Sequence, residues 1–182
     1  SWDRRHIVHF NAIYDLPFGR GRRFGSDIHG VEETVLGGWQ VSAIFLYNSG
    51  DPLTLVCGGS TLGNGQNTRP DRVANPGISN PSADQWFNTD AFACPAQYTL
   101  GNSGIGAVYG PGQQVWDTAL MKNFYFTGDN SKYLQFRWQM YNALNHRNLG
   151  DPGVTVTNAN TFGVIQSAGS PRKMEFALKF VF

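Results

Sequence analysis

His6 and His9 are the closest pair of imidazoles in the chain, and their spacing decides what they can do. On a strand, residues three apart point to opposite faces, so the two rings cannot share a metal ion. On a helix they could meet, but the residues around them alternate as a strand does. His29 and His146 each stand alone in loop-like sequence, where a solvated side chain is the plain reading. Glu32 and Glu33 are adjacent, and a strand would separate them. Asp51, Asp71, Asp84 and Asp90 lie among Gly, Pro, Asn and Ser. A calcium loop needs carboxylates at regular spacing. That spacing is absent, so turn formation is the reading. No Gly-x-Ser-x-Gly elbow occurs. Gly101–Asn102–Ser103–Gly104–Ile105–Gly106 has neither a strand before it nor a helix after it, so it does not read as a nucleotide site. The residues nominate no catalytic centre, no metal and no cofactor.

Three other groups carry chemistry of a different kind. Cys57 and Cys94 both sit in loop-like sequence. They suit a disulfide in an oxidising compartment, with two free thiols as the alternative. Arg20, Arg22 and Arg23 form the densest basic stretch, in a Gly-rich segment that reads as a solvated turn rather than a phosphate site. Trp86, Phe87 and Phe92 are the aromatic clusters of the longest loop. They could make an external contact for a ligand, since rigid scaffolds often carry binding residues on loops. The alternative is that they pack this loop against itself.

The elements that would position these groups are strands. Charged residues are only 15% of the 182, against about a quarter in ordinary soluble domains. Glycine (22 residues) and aromatics (14%) fill the gap. This suits an all-β chain with many turns, including a membrane barrel, whose strands alternate instead of running apolar. The net charge of +1 gives no basic excess for nucleic acid. No window of about 18 apolar residues exists to make a transmembrane helix. The chain opens without a signal pattern, which fits either an intracellular chain or one whose N-terminal part lies ahead of it, and the lack of an initiating Met favours the second.

Alternation is clearest at the C-terminus. Met174, Phe176, Leu178, Phe180 and Phe182 share one face, with Glu175, Ala177, Lys179 and Val181 on the other. Leu134, Phe136, Trp138 and Met140 likewise oppose Gln135, Arg137 and Gln139. Strands are expected near 6–16, 38–56, 115–126, 132–142 and 162–182, with a long loop at 57–114 and a turn at 127–131. A loop of that length is unusual unless it is functional or holds unrecognised strands. Membrane barrels alternate short turns with longer loops. If the C-terminus is periplasmic, the long loop and 143–161 fall outside and the turn at 127–131 falls inside. The 17–37 connection is longer than that scheme prefers.

The segment Asp3–Arg4–Arg5–His6, continuing through Asn11 to Leu16–Pro17–Phe18–Gly19, resembles the late barrel of TonB-dependent outer-membrane receptors, closest to their Oar-like branch. Gly37–Gly38–Trp39–Gln40, Ser49–Gly50–Asp51–Pro52, Trp86–Phe87–Asn88 with Ala91–Phe92, Lys122–Asn123–Phe124, Tyr141 to His146, Phe162–Gly163 and Pro171–Arg172 fall in that family's order. The resemblance implies a barrel of about 22 strands with a plugged lumen. This chain would be its C-terminal segment, an antiparallel up-and-down meander of about five strands that is not transport-competent alone. The implied partners are outer-membrane lipid, the missing N-terminal strands and plug, TonB through that plug, and the barrel-assembly machinery. Met174, Phe176, Phe180 and Phe182 would be read as the assembly signal by strand addition. Gln135, Arg137 and Gln139 would face the lumen. The implied location is the bacterial outer membrane and the implied activity is energy-coupled uptake. The rival reading is a soluble β-sandwich that binds carbohydrate or peptide with the 57–114 loop. A hydrolase on a β scaffold ranks last. The faces discriminate: a sandwich must bury Leu134, Phe136, Trp138, Met140, Phe176, Leu178 and Phe180, whereas a barrel leaves them exposed.

Overall fold

The computed structural model describes residues 3–126 and 131–182. In chain order the elements are β1 (Ile7–Asp15), α1 (Val31–Leu36), β2 (Trp39–Asn48), β3 (Pro52–Leu53), β4 (Asp71–Arg72), a 3-10 turn (Thr89–Ala91), β5 (Phe92–Ala93), β6 (Val108–Tyr109), β7 (Gln113–Tyr125), β8 (Tyr133–Tyr141) and β9 (Lys173–Val181). The turn expected at 127–131 lies, apart from Ser131, outside the described residues. The chain divides into two compact units.

One unit is a five-stranded sheet in the order β1-β2-β7-β8-β9. Its strands are long, and neighbours in sequence are neighbours in space, as in a meander. The β8–β9 register sets Leu134 opposite Phe180, Phe136 opposite Leu178, Trp138 opposite Phe176 and Met140 opposite Met174. The β7–β8 register sets Phe124 opposite Leu134, Lys122 opposite Phe136 and Leu120 opposite Trp138. Backbone bonds from Leu16 to Trp39 and from Ser49 to His6 fix β1 against β2. With the bond from Asn123 N to the Gly38 carbonyl fixing β2 against β7, these registers bring most apolar members of the five strands to one face, with Ile13, Ile44 and Leu46 left on the other. Strand directions put the β1–β2 and β7–β8 connections at one end of the sheet, and the β2–β7 and β8–β9 connections at the other.

The other unit comprises Tyr47–Gln113 and Arg147–Gly169 with the chain up to Ile7. Within the long loop expected at 57–114 lie short strands that alternation does not mark. β3 pairs with β6 and β4 with β5, both antiparallel. Around them lies a core of Leu55, Phe87, Ala91, Phe92, Val108 and Phe162. Phe87 meets Phe162 edge-on at 5.2 Å and Phe92 at 6.1 Å. Edge-to-face aromatic pairs at such distances are favourable beyond the area they bury. The Cys57–Cys94 disulfide is formed, closing 37 residues of sequence separation. These strands escaped sequence reading because each is two residues long, too short for any period to show.

Two strand boundaries change for the same reason. The strand expected over 38–56 stops at Asn48, where Ser49–Gly50 breaks it. A Cβ at Gly50 would come within 1.8 Å of the Gly110 carbonyl oxygen, so only glycine admits this approach. The strand expected over 162–182 begins only at Lys173. Its first part belongs to the loop unit, joined by isolated bridges from Gly153 to Phe162 and from Pro152 to Ile165. The six-residue helix α1 is an addition to an expected all-β chain.

Candidate functional site

The sheet's apolar face is open. Phe176 is 67% exposed, Leu178 69% and Phe182 90%, and no part of this β9 face is buried. The matching β8 face is half-buried by its neighbours in the sheet. Trp138 stacks on Phe176 at 5.9 Å, and Phe136 lies 6.2 Å from the same ring. A sandwich would bury these side chains against a second sheet, and here the β9 members are exposed and the β8 members only half-buried. Exposed apolar area on this scale marks an interaction surface and is rare on soluble monomers. At the β1–β2 end the face finishes in aromatics: Trp39, Phe124, Phe126, Phe180 and Phe182. Phe126 meets Phe180 at 6.0 Å, and Phe180 meets Phe182 at 5.7 Å. Aromatic girdles of this kind flank the apolar band of membrane barrels.

The opposite face is mixed, with Ile13 and Ile44 exposed on β1 and β2 and polar side chains on β8. Gln135, Arg137 and Gln139 all point there, as their parity predicts. Gln135 Nε2 donates to Asn123 Oδ1 at 2.9 Å, and Gln139 lies opposite Glu175 in the register. Gln135, Arg137, Ala177 and Lys179 line a shallow cavity of about 270 Å³. Its cationic groups give this part of the face an affinity for anionic or hydrogen-bonding neighbours.

Three of the predicted loop residues have packing roles. Phe87 and Phe92 are buried in the loop core. Trp86 is half-buried, and its Nε1 donates to the Tyr109 carbonyl at 2.8 Å. The loop therefore uses these aromatics to pack against itself, which was the alternative to a ligand contact. Among the described residues, no group of three or more His, Cys, Asp or Glu could hold a metal ion.

Sequence reading missed a polar clamp in the loop unit. Arg4 donates to Asp51 through Nε and, at 2.7 Å, through Nη2. Arg5 donates to the Tyr109 hydroxyl at 2.8 Å and stacks over its ring. His6 and Ser49 are joined by two further bonds, from His6 N to Ser49 Oγ and from Ser49 N to His6 O. A signal was available: extending the β1–β2 register two residues past His6 and Ser49 brings Arg4 opposite Asp51. The motif Tyr141 to His146 has a similar anchoring role. Asn142, in left-handed backbone, donates to the carbonyls of His146 and Ser170, and its Oδ1 accepts from His146 N.

The hydrogen bond from Arg4 holds the Asp51 carboxyl below its usual range. Burial, with the Asp51 charge nearby, pushes the Asp151 carboxyl up. The two act in opposite directions on stability. A raised carboxyl favours the folded state when protonated, so mild acidification first relieves Asp151. A lowered carboxyl favours the folded state when ionised, so that contribution is lost as pH falls through the lowered Asp51 value. We predict that protease resistance of the loop unit rises slightly on mild acidification and then falls at lower pH. Asp151→Asn should abolish the rise and leave the fall. A monotonic profile in the unsubstituted protein would contradict the assignment.

The family described as an outer membrane beta barrel domain matches residues 1–175. No curated protein and no solved structure matches the chain. The match covers β1, β2, β7, β8 and the loop unit between them, and reaches the first residues of β9. The chain belongs to the outer-membrane β-barrel domain family, and its place is the bacterial outer membrane.

Proposed function

We propose that this chain is the C-terminal barrel segment of a TonB-dependent receptor of the Oar-like branch, serving energy-coupled uptake. The observation that carries the barrel part is the exposed apolar face of β9, continued by the half-buried apolar face of β8, with Gln135, Arg137 and Gln139 on the side behind it. The ordered motifs carry the receptor part. Among the described residues β1 and β9 are edge strands. Unpaired edges are costly in lipid, so closure would come from the receptor's other strands. The polar face would then meet the plug, and the loop unit would stand outside the cell. The family is generally non-enzymatic, and no enzymatic role is proposed.

The test is binding of the purified full-length parent to the isolated periplasmic domain of TonB. Saturable binding that disappears when the parent's TonB box is deleted is expected. An intact, correctly assembled parent that does not bind would overturn the receptor reading and leave the barrel untouched.

β9 would also be the strand read during assembly, through Met174, Phe176, Phe180 and Phe182. Phe182→Ala should lower the heat-modifiable, assembled protein severalfold in the outer-membrane fraction, with total synthesis unchanged. An unaltered assembled amount would remove this role.

A further inference from the structure

The β1–β2 connection is long for the end of the sheet that it occupies, and its residues are not those of a plain turn. Phe18 and Phe24 meet with tilted rings at 5.7 Å and are 45% and 50% exposed. On α1, Val31, Val35 and Leu36 are all exposed. Five large apolar side chains are thus presented to solvent by a segment of about twenty residues. Glu32 shares their side of the helix, while Glu33 turns inward and accepts from the Arg20 backbone N–H at 2.5 Å.

The connection is tied to the apolar side of the sheet. Trp39, on that face, donates from Nε1 to the Val35 carbonyl at 2.9 Å. Lys122, on the same face, donates from Nζ to the Gly37 carbonyl. Its ammonium also lies 5.3 Å from the Trp39 ring and 5.4 Å from the Phe124 ring. These contacts place the end of α1 beside the aromatic girdle. Gly38 permits the close passage: it has φ +71°, and a Cβ there would come within 2.5 Å of the Asn123 carbonyl oxygen. The basic residues lie nearby in sequence. Arg23 stacks over Phe24 at 5.5 Å, and Arg22 pairs with Asp15 at 3.5 Å. The Arg20 and Arg23 guanidinium groups have no carboxylate partner among the described residues.

We propose that Pro17–Gly37 is an interfacial foot that docks on the phospholipid headgroup layer at the β1–β2 end of the barrel. Phe18, Phe24, Val31, Val35 and Leu36 enter the boundary between headgroups and acyl chains, as the apolar side of an interfacial helix does. Arg20 and Arg23 meet lipid phosphates. Through Trp39 and Lys122 the end of α1 is continuous with the lipid-facing surface of the same sheet, so lipid is its occupant. Glu32 sets the depth, because a carboxylate is tolerated at headgroup level and not among the acyl chains. This rests on the barrel reading of the sheet and not on energy-coupled uptake.

The test uses the full-length parent in vesicles of phosphatidylethanolamine and phosphatidylglycerol. Single cysteines at Val31→Cys, Val35→Cys and, separately, Phe24→Cys carry an environment-sensitive fluorophore. Leu178→Cys on the lipid face and Ser79→Cys in the loop unit serve as references. A headgroup spin label on the lipid should quench the foot positions strongly, and aqueous iodide should quench them several-fold less than Ser79. Foot positions as open to iodide as Ser79, and untouched by the spin label, would overturn the foot while Leu178 still reports lipid. Loss of lipid contact at Leu178 as well would instead overturn the barrel reading. Three separate foot positions keep the result readable if one variant fails to assemble.

Discussion

Leu178→Arg should destabilise the assembled barrel by about 2–4 kcal/mol, the cost of a basic side chain on the lipid side near the bilayer midplane. Leu178 lies near the middle of β9, opposite Phe136, and is 69% exposed. In a soluble protein an arginine at so exposed a site would change stability by under about 0.5 kcal/mol. The medium, not the protein, makes the difference. Gln139→Arg is the companion. It lies on the polar face of β8, opposite Glu175. An opposite charge directly across a strand pair contributes about 0.2–1 kcal/mol in favour. The measurement is the urea midpoint for loss of the heat-modifiable form in vesicles. A large loss for Leu178→Arg with none for Gln139→Arg is expected. Equal, small effects would mean that the exposed face never meets lipid.

Phe87→Ala should unfold the loop unit while sparing the sheet. Truncating a buried phenylalanine costs about 3–5 kcal/mol through lost transfer and the cavity left behind. Phe87 touches both Phe92 and Phe162, so its removal takes one member from each of two aromatic pairs. The core it belongs to is small, and few side chains remain to collapse into the gap. In the purified parent in detergent, where both ends of the barrel are open to protease, added protease should then cut within 57–114, and the heat-modifiable barrel should persist. Tyr98→Ala, at a site 75% exposed, should leave cleavage unchanged. Should Phe87→Ala cleave no faster than Tyr98→Ala, the aromatic cluster would not be what holds the unit together. The Cys57–Cys94 bond is a second restraint on the same unit, so the effect should be larger under reducing conditions.

The sequence by itself determined the sheet. β1, β7 and β8 begin and end within about two residues of where alternation places them, and β9 ends where expected but begins only at Lys173, because a period of two written over nine or more residues leaves one way to keep apolar groups together. It also determined which face Gln135, Arg137 and Gln139 occupy, and it brought forward Cys57 and Cys94 as a pair. The tertiary structure decided the rest. The loop unit draws its core from Leu55, Val108 and Phe162 together with the Phe87 and Phe92 cluster, segments far apart in sequence that share no period, so only their meeting in space identifies them as a core. The clamp of Arg4 on Asp51 joins residues 47 positions apart and becomes legible only once the β1–β2 register is known. Lys122 reads as an ordinary charged residue on a strand, yet the fold buries it between Trp39, Phe124 and the Gly37 carbonyl. Alternation is local and survives in a linear string. Packing between distant segments depends on which surfaces meet, and for this chain that meeting settles the loop unit, the clamp and the position of the foot.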